Sequence, residues 1–137
     1  MSFKMSMSDP LEMNMAAFHK LLGRPIAFHR CFVEVAGSVA GAVFLSQAVY
    51  WSQNSTAVAR DGWFYKTMHD WSSETGMSRF EIESARKSLR ARGILEESRQ
   101  DVPAKLYYRL DFNKLASSLL SSELESRQEV VGIPAES

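Results

Sequence analysis

Between Ser78 and Arg92 the chain carries Arg79, Arg86, Lys87, Arg90 and Arg92 against Glu81 and Glu83, a local balance of +3 in a sequence whose 16 basic and 16 acidic residues cancel. Cations at this spacing suit contact with a polyanion: Arg79, Lys87 and Arg90 can meet phosphates, and an outward arginine can bond O6 and N7 of a guanine. Glu83 would accept from a cytosine amino group or repel a phosphate backbone, and Phe80 would meet a thymine methyl or an apolar patch on a protein. Lys66, Arg99 and Lys105 are candidates for holding the flanking backbone, and Thr67 and Ser78 complete the candidate set. Against this stands the plainer reading that these are solvated surface charges. The zero net charge and pI of 6.8 give it weight. Strong non-specific attraction to nucleic acid is not expected, since that term grows with the number of phosphates neutralised.

These side chains require a helix, and the sequence marks both its ends. Ser78 can cap the free amides of the first turn while Glu81 reaches back, and Gly93 can take the left-handed conformation that closes the last turn. At about 100° per residue, Ile82, Ala85 and Leu89 fall on one side. Phe80, Glu83, Ser84, Lys87 and Ala91 lie opposite, flanked by Arg79, Arg86 and Arg90. Upstream, Thr67 is a suitable cap, Asp70 places a carboxylate at the positive helix end, and Trp71 supplies an apolar anchor, so Thr67 to Thr75 is expected as a short helix. Gly76 then allows the sharp turn between the two helices. Downstream, Ile94–Arg99 and Leu106–Leu110 read as strands around a proline-stiffened tip from Gln100 to Lys105. Trp63-Phe64-Tyr65, entered through Asp61-Gly62, would add a third strand. The expected fold is mostly α with a small antiparallel β-hairpin or sheet, a winged helix-turn-helix with an extra N-terminal helix.

Several strings together resemble the phage and prophage replication-type winged-helix proteins, similar to the N-terminal domains of replisome organisers. Gly37-Ser38-Val39, Leu45-Ser46-Gln47 and Tyr50-Trp51 look like that family's first helix, and Asp61 to Thr67 like its strand and helix entry. Glu74 to Arg79 looks like its turn, and Val102 to Arg109 like its wing. The match runs from about Arg24 to Leu115. The resemblance implies duplex DNA as the partner and mobile-element biology. Replication organisers usually continue into a second domain that oligomerises or recruits a helicase loader, whereas this sequence ends at Ser137, which puts a loader-recruiting role in doubt.

A length of 137 residues, 45% hydrophobic and 23% charged, suits one core of ordinary size. Residues 1–24 are expected as an extension whose helix starts near Pro10 and ends at Leu22, before Gly23-Arg24-Pro25. Residues 25–120 would form the winged-helix domain, closing with a helix from Phe112 to about Leu120. The Ser- and Glu-rich residues 121–137 would be a flexible C-terminal tail. Val39 to Trp51 is apolar on more than one side and must be covered twice. The N-terminal helix and the winged core of the same chain are the first explanation. A homodimer through the N-terminal helix and this one is the second, and would suit a two-fold DNA site.

Cys31 is alone, so no intrachain disulfide forms, and no secretory signal or membrane-length apolar run is visible, which makes the cytoplasm the expected location. His19, His29 and His69 lack the spacing of a metal site. No glycine loop could cradle a phosphate and no nucleophile motif occurs, so neither enzyme activity nor a cofactor is expected. Trp51, Trp63, Trp71, Tyr107 and Tyr108 could form a base-stacking platform, but their positions favour packing. Two functions remain. One is sequence-specific duplex binding in replication initiation or transcription regulation. The other is a protein-binding winged module, such as a small phage-borne inhibitor of a host factor.

Overall fold

The computed structural model describes residues 13–136, with side chains as far as Glu125. The described elements run α1 (Met15–Leu22), α2 (Phe32–Ala36), α3 (Val39–Ser52), α4 (Ser55–Ala59), β1 (Phe64–Tyr65), α5 (Met68–Thr75), α6 (Arg79–Ala91), β2 (Leu95–Gln100), β3 (Lys105–Leu110) and α7 (Phe112–Glu136). The three strands form one antiparallel sheet in the order β1-β3-β2. Helix α5, a tight turn, helix α6 and the β2–β3 hairpin make a winged helix-turn-helix.

Both helices of that unit start on reciprocal caps. At α5 the Thr67 N–H donates to Asp70 Oδ2 at 3.0 Å and the Asp70 N–H donates to Thr67 Oγ1 at 2.9 Å. At α6 the Ser78 N–H donates to Glu81 Oε1 at 2.9 Å and the Glu81 N–H to Ser78 Oγ at 3.1 Å. Each box satisfies two amides that a helix N-terminus otherwise leaves open. Between them Gly76 sits at φ 76°, a left-handed conformation that a Cβ would disfavour. The turn is held from both sides: the Gly76 N–H donates to the Ser72 carbonyl, and the Ser72 hydroxyl donates to the Met77 carbonyl.

Ile82, Ala85 and Leu89 face inward on α6 and pack with Phe44, Leu45, Trp71, Ile94 and Tyr108. Each large apolar side chain so enclosed contributes about 1.5–3 kcal/mol relative to exposure. Trp71 is the centre of an aromatic group, stacked on Phe44 at 4.1 Å and meeting Tyr108 edge-on at 5.5 Å. Across the sheet, Tyr108 of the central strand pairs with Phe64 on one side and Glu97 on the other, and Tyr107 pairs with Tyr65 and Ser98. Alternation therefore sends Phe64, Tyr108, Glu97 and Leu95 toward the helices and Tyr65, Tyr107 and Ser98 to the opposite side.

Two expectations from the sequence are corrected, and a third falls outside the described residues. Helix α1 starts at Met15, capped by Asn14, whose side chain accepts from the Ala17 N–H; the proposed start at Pro10 lies outside the described residues. None of its residues is buried, so it does not supply the cover for α3. That cover comes from α2, a helix the sequence reading missed, together with α6 and β3. Here α2 and α3 approach so closely that a Cβ on Gly41 would stand 2.9 Å from Ala36 Cβ. Finally, α7 does not stop near Leu120 to release a tail but continues to Glu136. Asp111 caps it, Leu115 and Leu119 pack on the core, and the Ser122 hydroxyl donates to Glu34 of α2. Residues 121–131 contain neither glycine nor proline, and their Glu, Leu, Arg and Gln favour continuation despite the serines.

Candidate nucleic-acid interface

Helix α6 turns its core stripe inward and leaves Phe80, Glu83, Ser84, Lys87 and Ala91 in solvent. Phe80 is 77% exposed, an unusual position for a phenylalanine that serves only the fold. Lys87 has no ion pair among the described residues and points its charge outward from the middle of this face. The remaining cations are less free. Arg79 Nε donates to Glu83 Oε2 at 3.1 Å across one exposed turn, a pair worth only a few tenths of a kcal/mol.

A tighter arrangement lies on the flank nearest the hairpin. Arg86 donates to Glu97 through Nε at 2.8 Å and Nη2 at 3.0 Å, and Arg90 Nη1 donates to Glu97 Oε1 at 2.8 Å. Glu97, 10% exposed, thus binds two arginines from successive turns of α6 and fastens the helix to β2. Burial alone would raise its carboxyl, but the hydrogen bonds and charges of Arg86 and Arg90 outweigh burial and hold it below the ordinary glutamate value. The same hydrogen bonds to Glu97 raise Arg86, so both members stay charged.

The other candidate residues are distributed around this helix. Ser78 is exposed at its start; its oxygen is used in the cap and its hydroxyl proton remains available to a phosphate. Thr67, half-buried, caps α5 in the same manner. The Thr67 backbone N–H holds the Asp70 carboxyl below its usual value. Arg99 shares the parity of Glu97 on β2 and is exposed on the side of the sheet that α6 occupies. Lys105 belongs to the opposite side, where its ammonium lies 5.2 Å from the centre of the Tyr65 ring. Lys66 is drawn inward: 6% exposed, it pairs with Glu74 at 2.5 Å and sits 3.9 Å over the Trp51 ring. An ammonium so enclosed is not free to hold a phosphate, and this removes Lys66 from the surface the sequence suggested.

The structure therefore gathers Ser78, Arg79, Phe80, Glu83, Lys87, Arg90 and Arg99 around α6 and separates Lys66 and Lys105 from them. Glu97 is the residue that sequence reasoning missed, although a signal existed: its parity with Leu95 places a carboxylate on the inward face beside a run of arginines. The aromatic residues follow packing more than display. Tyr107 and Tyr108 are both buried, Arg60 lies 4.6 Å over Tyr107, and Arg109 lies 4.7 Å over Trp63. Those rings offer few open faces for base stacking. Among the described residues no group of three or more His, Cys, Asp or Glu could hold a metal ion, and no helix is long and apolar enough to cross a membrane.

No protein-family model matches the sequence, and no curated protein matches it. Among solved structures, the fold is similar to that of a possible transcriptional regulator from Methanosarcina mazei Go1, with a TM-score of 0.52 at 12% identity over 77% of this chain and 83% of that one. An N-terminal domain of a DNA-binding protein aligns over 73% of this chain and 83% of that one, at 14% identity and a TM-score of 0.47.

Proposed function

We propose that this chain is a winged-helix protein that binds duplex DNA sequence-specifically through α6, in transcription regulation or replication initiation of a phage or mobile element. The observation that carries this reading is the outward face of α6. Among the described residues nothing covers it; it holds Lys87 without an ion pair at its centre and is bordered by Ser78, Arg79, Arg90 and Arg99. A helix presented in this way fits a major groove, with phosphates met at its borders and base edges at its centre. The fold shared with a possible transcriptional regulator is in keeping with this reading. The zero net charge and the two carboxylates engaged with arginines favour a reader of particular sequences over a protein that coats DNA. A homodimer through α1 and α3 belongs to the proposal, since Phe18, Leu21, Leu22 and Val39 expose apolar surface on these two helices.

One observation favours a second reading. Phe80 and Val102 both expose apolar surface, one on α6 and one at the hairpin tip, which suits a protein partner such as a host factor inhibited by a small phage protein. Selection of bound duplexes from a random pool at about 150 mM salt, where weak phosphate attraction is largely screened, separates the two. The expected result is an enriched motif, as an inverted repeat if the protein pairs. Absence of enrichment by folded protein would overturn the DNA reading in favour of a protein partner.

A further inference from the structure

The irregular segment between α1 and α2 runs over α3 and is tied to it where the His29 N–H donates to Ser46 Oγ at 2.9 Å. Between this segment, α3 and the last turn of α5 lies a half-open cavity of about 740 Å³, a size that suits a small molecule. Its wall includes Arg24, Ile26, Gln47, Tyr50, Trp51 and Glu74. Gln47 is the informative member. It is only 8% exposed, yet its amide has no hydrogen-bond partner among the described residues and lines the cavity. The amide opens onto the cavity, and no group of the fold among the described residues uses its donor or its acceptor, which leaves both to a ligand.

We propose that this cavity binds an amino-substituted purine, specifically an adenine nucleotide, with Gln47 reading the edge of the ring. A glutamine amide offers one donor and one acceptor side by side, the complement of the ring nitrogen and exocyclic amine of adenine. Lys66 covers one face of Trp51, and Tyr50, more than half exposed, presents the free aromatic surface against which a planar ring can lie. Glu74 already accepts from the Trp51 indole N–H at 2.9 Å and from Lys66, so its charge is met and its remaining lone pairs are acceptors toward an amine. Arg24 is exposed, has no ion pair among the described residues, and supplies a cation for the phosphate.

The site is independent of the α6 surface, and its test needs no DNA. The full chain, labelled with ¹⁵N, is titrated with AMP, IMP and adenosine while the Gln47 side-chain amide and Trp51 indole resonances are followed. AMP is expected to shift both saturably. IMP, which lacks the amine, should bind roughly tenfold more weakly, in line with the loss of a paired base-edge contact. Gln47→Leu should abolish the AMP response, and Arg24→Ala should reduce AMP affinity to that of adenosine. Absence of saturable shifts with millimolar AMP, or equal affinity for AMP and IMP, would overturn the proposal. If Gln47→Leu fails to fold, the AMP and IMP comparison and the exposed Arg24→Ala variant still decide.

Discussion

Replacing Glu97 with glutamine should move folding stability and DNA affinity in opposite directions. The substitution keeps the side chain's shape and removes the charge that Arg86 and Arg90 share. Breaking a fully buried ion pair from one side costs about 3–5 kcal/mol. Here the Arg86 side chain is 17% exposed, and the glutamine oxygen can still accept from one arginine. The expected cost is therefore about 1–3 kcal/mol, roughly 4–10 °C in Tm for a domain of this size. Arg90, already half-exposed, gains freedom to reach a phosphate, whereas Arg86 stays held beneath it. One additional phosphate contact steepens the slope of log K against log salt by about 1. Thermal melting and fluorescence anisotropy on a selected duplex, from about 50 to 200 mM salt, measure the two effects separately. An unchanged slope in folded protein would refute the view that Glu97 restrains a DNA-contacting arginine. An unchanged melting temperature would refute the energetic weight given to the pair.

Acid should expose the same carboxylate. Glu97 is depressed below its ordinary value of 4.5, so its contribution is fully present above about pH 4.5 and is lost as pH falls through the lower folded value. Melting curves of Glu97→Gln should lack that component of the acid dependence. Leu89→Ala, at a site with no solvent exposure, should cost roughly 2–5 kcal/mol in a urea titration, and an unaltered midpoint would mean that α6 does not bury this face. Lys87→Ala combined with Arg90→Ala should cost at most about 1 kcal/mol of stability, since Arg90 is half-exposed and Arg86 still pairs with Glu97, and should weaken duplex binding with a shallower salt slope; tight binding by this variant would remove α6 from the interface. Phe80→Ala should alter base preference under the DNA reading and leave stability within about 0.5 kcal/mol, since the ring is mostly in solvent.

Much of the helix-turn-helix was legible because its determinants are local. The Ser78–Glu81 box spans three residues, the glycine at 76 acts on its own backbone, and the inward stripe of Ile82, Ala85 and Leu89 follows from helical period alone. The sheet was legible for a similar reason: alternation and a proline-containing tip define a hairpin, and β1 needed only the short aromatic run before Thr67. Final boundaries were less so. The serines after Leu120 suggested a tail, but the lack of glycine and proline from 121 to 131 and anchorage to Glu34, 88 positions away, let the helix continue past them.

The sequence by itself determined where α5 and α6 begin, which side of α6 is core, and that a wing follows, since these depend on residues within about one turn or one strand pair of each other. Only the tertiary structure decided which cations remain available. Lys66 and Lys87 look equivalent in sequence, yet one is enclosed by Glu74 and Trp51 while the other stands in solvent. Arg90 and Arg86 are restrained by a carboxylate that reaches α6 from a neighbouring strand, and Gln47 is left without a partner by the segment passing over α3. A charge is spent or free according to what packing brings within about 3 Å of it, and that neighbour is set by the path of the whole chain.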